Sequence, residues 1–110
     1  MATLVLGDGR RIAVDVADTR AARRRGLLGR ASVDGGALLI KKCRSVHTFG
    51  MRFAIDVAHL DTSMRVLRVR TMLPQRLGMV VPRARHVLEA DAGALERWNL
   101  KVGSQLQVEP

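Results

Sequence analysis

Aromatic residues and cysteine are nearly absent from this chain. There is no Tyr, one Trp, two Phe and one Cys in 110 residues. A single thiol excludes an intrachain disulfide framework. With aromatics at 3%, the core must be built from Leu, Val, Ile, Ala and Met. The same scarcity removes the interleaved rings on which bases stack in single-strand nucleic-acid binders. No apolar run approaches the ~18–20 residues of a membrane span, so no membrane partner is expected. The opening stretch Met1–Gly9 has no basic region and meets Asp8 early. A secretory signal is therefore not expected, and a cytoplasmic location is. Phosphate loops, dinucleotide glycine fingerprints and catalytic serine elbows are missing, which leaves no cofactor to expect.

What is abundant is positive charge. The net charge is +9, and 16 of the 19 basic residues are Arg. The first 55 residues carry 11 basic and 4 acidic groups, against 8 and 6 in the remainder. Such asymmetry steers polyanions toward one side of a molecule, or reflects an Arg-rich solvated surface. The candidate polyanion-binding residues are Arg23, Arg24, Arg25, Arg30, Lys41, Lys42 and Arg44, and the binding expected of them is weak and without sequence preference. A hydrophobic share of 47% over 110 residues suits one soluble domain spanning 1–110.

Periodicity predicts mostly strands. Thr3–Leu6 and Arg11–Ala17 read as a hairpin around Gly7-Asp8-Gly9, with Ile12, Val14 and Val16 alternating against a wet face. Asp18 or Thr19 caps a helix over Arg20–Leu28, with Ala21 and Leu28 inward and Gly29 as its stop. Ala37–Lys41, Val46–Phe49, Ile55–Leu60, Met64–Met72 and Arg85–Ala90 follow as strands, Ile55–Leu60 being central. Between them, Pro74–Pro82 reads as a loop whose Leu77, Met79, Val80 and Val81 pack on the body. Asp91 caps a second helix to Asn99, with Leu95 and Trp98 on one face, and Gln105–Glu109 closes as a strand. Helices that do not alternate with strands give an α+β class: a curled, mostly antiparallel sheet or small β-barrel-like body with two short helices.

Chemistry concentrates in Cys43–Asp61, which holds the only Cys, two of the three His and both Phe. Cys43, His47 and Met51 are spaced by four and offer soft donors, but the Gly50 turn argues against their converging on a metal. Lys41, Lys42 and Arg44 surround Cys43 and favour its thiolate, so Cys43 and His47 could form a nucleophile and base. Asp56 lies between Ile55 and Val57 in an apolar run. A carboxylate buried there must be paired or hydrogen-bonded. Candidate partners are Arg52, Arg44, His47 and N–H groups at the Gly50 bend. The candidate ligand-binding residues are thus His47, Asp56, Met51 and Cys43, with Asp56 read first as a structural anchor.

Several stretches together resemble the family known as domain of unknown function 192. They are Asp18-Thr19 with an Arg-rich helix ending Arg-Gly-Leu-Leu-Gly-Arg, the Gly-Ala-Leu-Leu-Ile strand, Val-His-Thr-Phe-Gly-Met-Arg-Phe-Ala-Ile-Asp, and His-Val-Leu-Glu-Ala-Asp-Ala-Gly. The resemblance runs from about Val14 to Val108. It implies a compact β-rich fold with two helices and carries no established activity. The commoner family pattern reads Phe-Trp-Met-Lys-Asn-Thr, two variable residues, then Pro-Leu-Asp. Here His47 to Met51 stand in the Trp-to-Thr places, Ala54 stands where Pro is usual, and Asp56 keeps the acid. The role expected is a small non-catalytic ligand- or protein-binding domain. The alternatives are a basic nucleic-acid-associated protein, and a hydrolase or thiol enzyme using Cys43, His47 and Asp56.

Overall fold

Seven strands and two short helices follow one another along the chain in a computed structural model that describes residues 2–30 and 32–110. The order is β1 (Ala2–Val5), β2 (Arg11–Ala17), α1 (Arg20–Arg25), β3 (Ala37–Lys41), β4 (Ile55–Leu60), β5 (Val66–Met72), β6 (His86–Asp91), α2 (Ala94–Arg97) and β7 (Gln107–Glu109). One mixed sheet contains all the strands in the spatial order β5-β4-β6-β3-β2-β1-β7. Only β2 and β3 run parallel; the other neighbours are antiparallel. The α+β class with a curled sheet and two short helices therefore describes the molecule. The sheet does not close into a barrel. Its two margins approach each other where Arg65 bridges Gln105.

The middle strands are covered on both faces, and their side chains divide between two cores by the period of two. Leu39, Ala58, Leu60 and Leu88 enter one core with Leu4, Val14 and Leu106. Leu95 and Trp98, three apart at α2, cover that face as their spacing predicted. Leu38, Ile40, Val57 and Val87 enter the second core, closed by Leu27, Val46, Met51 and Met72. Each fully buried aliphatic side chain contributes about 1.5–3 kcal/mol, so neither cover is dispensable.

Several boundaries differ from the sequence reading. The first helix stops at Arg25, not Leu28, because Gly26 takes φ 51° and ψ −128°, a conformation open to glycine alone. The Thr19 hydroxyl accepts from the Ala22 N–H at 3.1 Å, the cap expected. Ala22, not Ala21, is the helix residue that packs inward. Val46–Phe49 is not a strand; it contributes one bridge, His47 to Leu77. A register shift at His59/Leu60 lets Val66 and Val69 share the first core, so Leu67 does not accompany Val69 as simple alternation required. The β4 strand is interior but second from the edge, and β3 is central. Segment 74–82 does not bury its apolar side chains: Leu77 is 75% exposed.

Asp56 is 3% exposed and saturated with donors. The Thr71 hydroxyl, opposite it on β5, donates to Oδ1 at 2.6 Å. The N–H groups of Gly93 and Leu95 donate to Oδ2 at 3.0 and 3.2 Å. None of the partners expected for it is used. Asp56 instead ties β4 to β5 and supplies the carboxylate at the start of α2 that Gly93, lacking a side chain, cannot. Asp56→Asn leaves the geometry but not the full set of acceptors. Urea denaturation of this variant should show a loss of about 1–3 kcal/mol, with Asp56→Ala worse.

Candidate functional site

The site begins with an acid that local pattern places on β6 and tertiary packing leaves alone. Glu89 sits between Leu88 and Ala90, opposite Leu38 of β3 and Val57 of β4. It is 3% exposed. Unlike Asp56, it faces the second core, where no N–H group or hydroxyl reaches Oε1. Burial pushes its pKa up to about 7. Above it lies a recess of about 70 Å³, room for a small head group, lined among others by Arg23, Arg24, Arg25, Cys43, His47 and Met51. Gly26 borders the opening: a Cβ there would make ordinary contact with Glu89 Oε1, at 3.7 Å.

Folding thus joins two groups that were far apart in the sequence reading. Cys43, His47 and Met51 line one recess together with Arg23, Arg24 and Arg25 of α1. The Cys43 thiol donates to the Ser45 carbonyl at 3.0 Å. Burial, then the nearby Glu89, pushes its pKa up, which opposes the thiolate that the flanking cations were expected to favour. The exposed His47 ring stacks on Phe49 with centroids 5.4 Å apart. Asp56 does not join them. It belongs to the opposite face of β4, so the sheet stands between Asp56 and the Cys43 recess. Among the described residues, no three His, Cys, Asp or Glu side chains converge as a metal-binding group.

The remaining candidate cations divide. Arg30 pairs with Asp15 at 3.7 Å. Lys41 ends β3 and is exposed. Lys42 and Arg44 line a second, open recess with Thr62, Arg85 and His86. There the Lys42 N–H donates to His86 Nδ1 at 3.3 Å. Burial, then Lys41 and Arg85, holds the His86 pKa below the usual imidazole value. Glu89 was not among the sequence candidates, although the signal that marked Asp56, an acid inside an apolar strand, marks it equally. His59 was also passed over. Both its ring nitrogens are buried without a partner, and burial, then Arg68, lowers its pKa.

Glu89 gives stability a pH dependence of known sign. Its folded pKa lies above the ordinary value of 4.5, so the folded state holds the proton more tightly than the unfolded chain. The contribution is complete below about pH 4.5 and is lost as pH rises through about 7. The whole swing is on the order of 3 kcal/mol. His59 and His86, with lowered pKa values, act oppositely below the usual imidazole range. The comparison that isolates Glu89 is Glu89→Gln against wild type. Denaturation at about pH 5 and about pH 8 should show the variant gaining relative stability at the higher pH.

Comparison with known proteins places the chain. The family model of domain of unknown function 192, described as uncharacterized ACR, matches residues 3–108. A UPF0127 protein of Pyrococcus horikoshii is 35% identical over 63 residues, covering 57% of this chain and 55% of that protein. A UPF0127 protein of Thermococcus sibiricus is 29% identical over 101 residues, covering 87% of this chain and 66% of that one. The matches therefore span a little over half and about two thirds of these relatives' own lengths. The fold is also that of a crystal structure of a protein of unknown function from Novosphingobium aromaticivorans. Its TM-score is 0.81 at 17% identity, over 96% of this chain and 82% of the other. A crystal structure of a putative transcription regulator from Sinorhizobium meliloti gives a TM-score of 0.80 at 18% identity, over 97% and 91%. With nearly its whole length matched by the family model, the chain belongs to the domain of unknown function 192 family.

Proposed function

We propose that this is a non-catalytic domain that binds a small anionic ligand in the recess above Glu89. The observation that carries this reading is the unpartnered Oε1 of a buried carboxyl group facing a recess bordered by three arginines. A buried polar atom without a partner is costly in a folded protein unless something occupies the space before it. Arg23, Arg24 and Arg25 attract an anion to the opening. Protonated Glu89 donates a hydrogen bond to it, as a carboxylic acid kept neutral by burial can. The walls formed by Leu27, Ile40, Val46 and Met51 suit a short apolar stem. A small carboxylate or other oxyanion meets all three requirements.

A thiol enzyme is less well supported, because the raised Cys43 pKa disfavours its nucleophilic form and no acid orients His47. A polyanion track is also less well supported. Arg30 is paired, Lys41 lines neither recess, and the other candidate cations divide between the two.

The test is titration of the labelled protein with acetate, oxalate and inorganic phosphate, followed by NMR. Amide shifts at Gly26, Cys43 and Ser45 should saturate with at least one of the three, more tightly below neutral pH than above it. Glu89→Ala should abolish the response, and Glu89→Gln should keep it while losing most of its pH dependence. Shifts confined to exposed arginines, unchanged in Glu89→Ala, would contradict the reading.

A further inference from the structure

A second surface adjoins the Glu89 recess, which shares Ser45, Val46 and His47 with it. The backbone of 44–48 runs beside that of 73–81, and a buried hydroxyl secures the pair. Thr48 donates through Oγ1 to the Leu73 carbonyl at 2.6 Å and accepts from the Arg76 N–H at 2.8 Å. Backbone bonds extend the pairing: Thr48 N–H to Arg76 at 2.7 Å, Gly78 N–H to Val46 at 2.8 Å, and Val81 N–H to Arg44 at 3.1 Å. Gly78 permits this approach, since a Cβ there would lie 2.6 Å from the Val46 carbonyl oxygen. The strip is therefore built, not a loose loop. Yet it carries Phe49, Leu73, Leu77, Met79 and Val80, which are 48–75% exposed. Of the described large hydrophobic side chains left exposed, Val102 alone lies elsewhere.

The chain that forms and flanks this strip carries charge of one sign. The stretches Gly35–Ile55 and Thr62–Leu88 contain ten Lys and Arg residues and no Asp or Glu. Arg68 reaches Met79, donating toward its sulfur at 3.5 Å, so one guanidinium lies against the apolar side chains themselves. At the end of the strip, Lys42, Arg44 and Arg85 line an open recess of about 550 Å³. Aliphatic side chains that protrude, with a cationic margin and a cationic recess beside them, are complementary to an apolar phase topped by phosphates. A second copy of this chain is not complementary, because a two-fold contact would set arginine against arginine.

We propose that the strip formed by 44–49 and 73–81 docks this protein onto an anionic lipid bilayer, with Leu77 and Met79 entering the acyl boundary and Lys42, Arg44 and Arg85 holding lipid phosphates. The docking is peripheral. No helix among the described residues is long and apolar enough to cross a membrane, and the expected absence of a membrane partner rested on the lack of a spanning run. Residues 45–47 also border the Glu89 recess, but Leu77, Met79, Lys42, Arg44 and Arg85 do not, so variants at those positions test this surface separately.

The experiment is flotation of the full chain with vesicles of phosphatidylcholine alone and of phosphatidylcholine mixed with phosphatidylglycerol. The protein should float with the mixed vesicles at low salt, release at high salt, and stay behind with phosphatidylcholine. The doubly substituted Leu77→Asp, Met79→Asp protein should lose about tenfold or more of its partitioning while keeping the wild-type circular dichroism spectrum. Val102→Asp should change nothing, and Glu89→Gln should float as wild type does. Flotation insensitive to Leu77→Asp, Met79→Asp, equal flotation on both vesicles, or none at all would overturn the proposal. So would sedimentation showing a dimer that the double substitution dissolves.

Discussion

Everything in this molecule depends on three adjacent strands, β4, β6 and β3, being covered on both faces. A sheet buried twice leaves no wet side on which to place a polar residue. Two acids nevertheless stand in it. Asp56 points into the first core and finds a hydroxyl and two backbone N–H groups waiting. Glu89 points into the second, and its Oε1 finds none. The same physical cost is met in one case by a structural partner. In the other it is left open beside a recess, and this contrast is what supports a structural role for Asp56 and a binding role for Glu89.

The two covers differ in kind, which explains why the recess is where it is. The first core is closed by the Ala94–Arg97 helix and Trp98, held by Asp56. The second is closed by irregular chain around Leu27, Val46 and Met51, next to a helix that buries none of its own residues. A six-residue helix ended by Gly26 cannot seal the sheet beneath it. The recess that remains is lined by Arg23, Arg24 and Arg25 as well as Glu89. Local backbone choice at one glycine thus reaches the chemistry of a strand more than sixty residues away.

Much of the fold was legible in the sequence. Arg11–Ala17, Ile55–Leu60 and Ala37–Lys41 are strands with the predicted ends, because alternation or continuous apolar runs left no other element. Trp98 and Leu95 met the core their spacing indicated. The partners of Asp56 were not legible. Two of them are N–H groups at a helix start 37 and 39 residues away, and no side-chain pattern announces a backbone donor. Nor was the exposure of Leu77, Met79 and Val80, since apolar residues in a loop read as buried until a strip of backbone bonds is seen to hold them outward. Glu89 could have been found: it stands in its strand as Asp56 does in its own, but lay outside the Cys43–Asp61 stretch where the chemistry was sought.

The measurement closest to the centre of this account is the titration of the Glu89 side-chain carboxyl by carbon-13 NMR, with and without saturating acetate. The expected midpoint is near 7 in the free protein, with a further rise when the anion binds, because the bound anion favours the protonated acid. A midpoint in the ordinary carboxylate range, unmoved by any oxyanion, would contradict it.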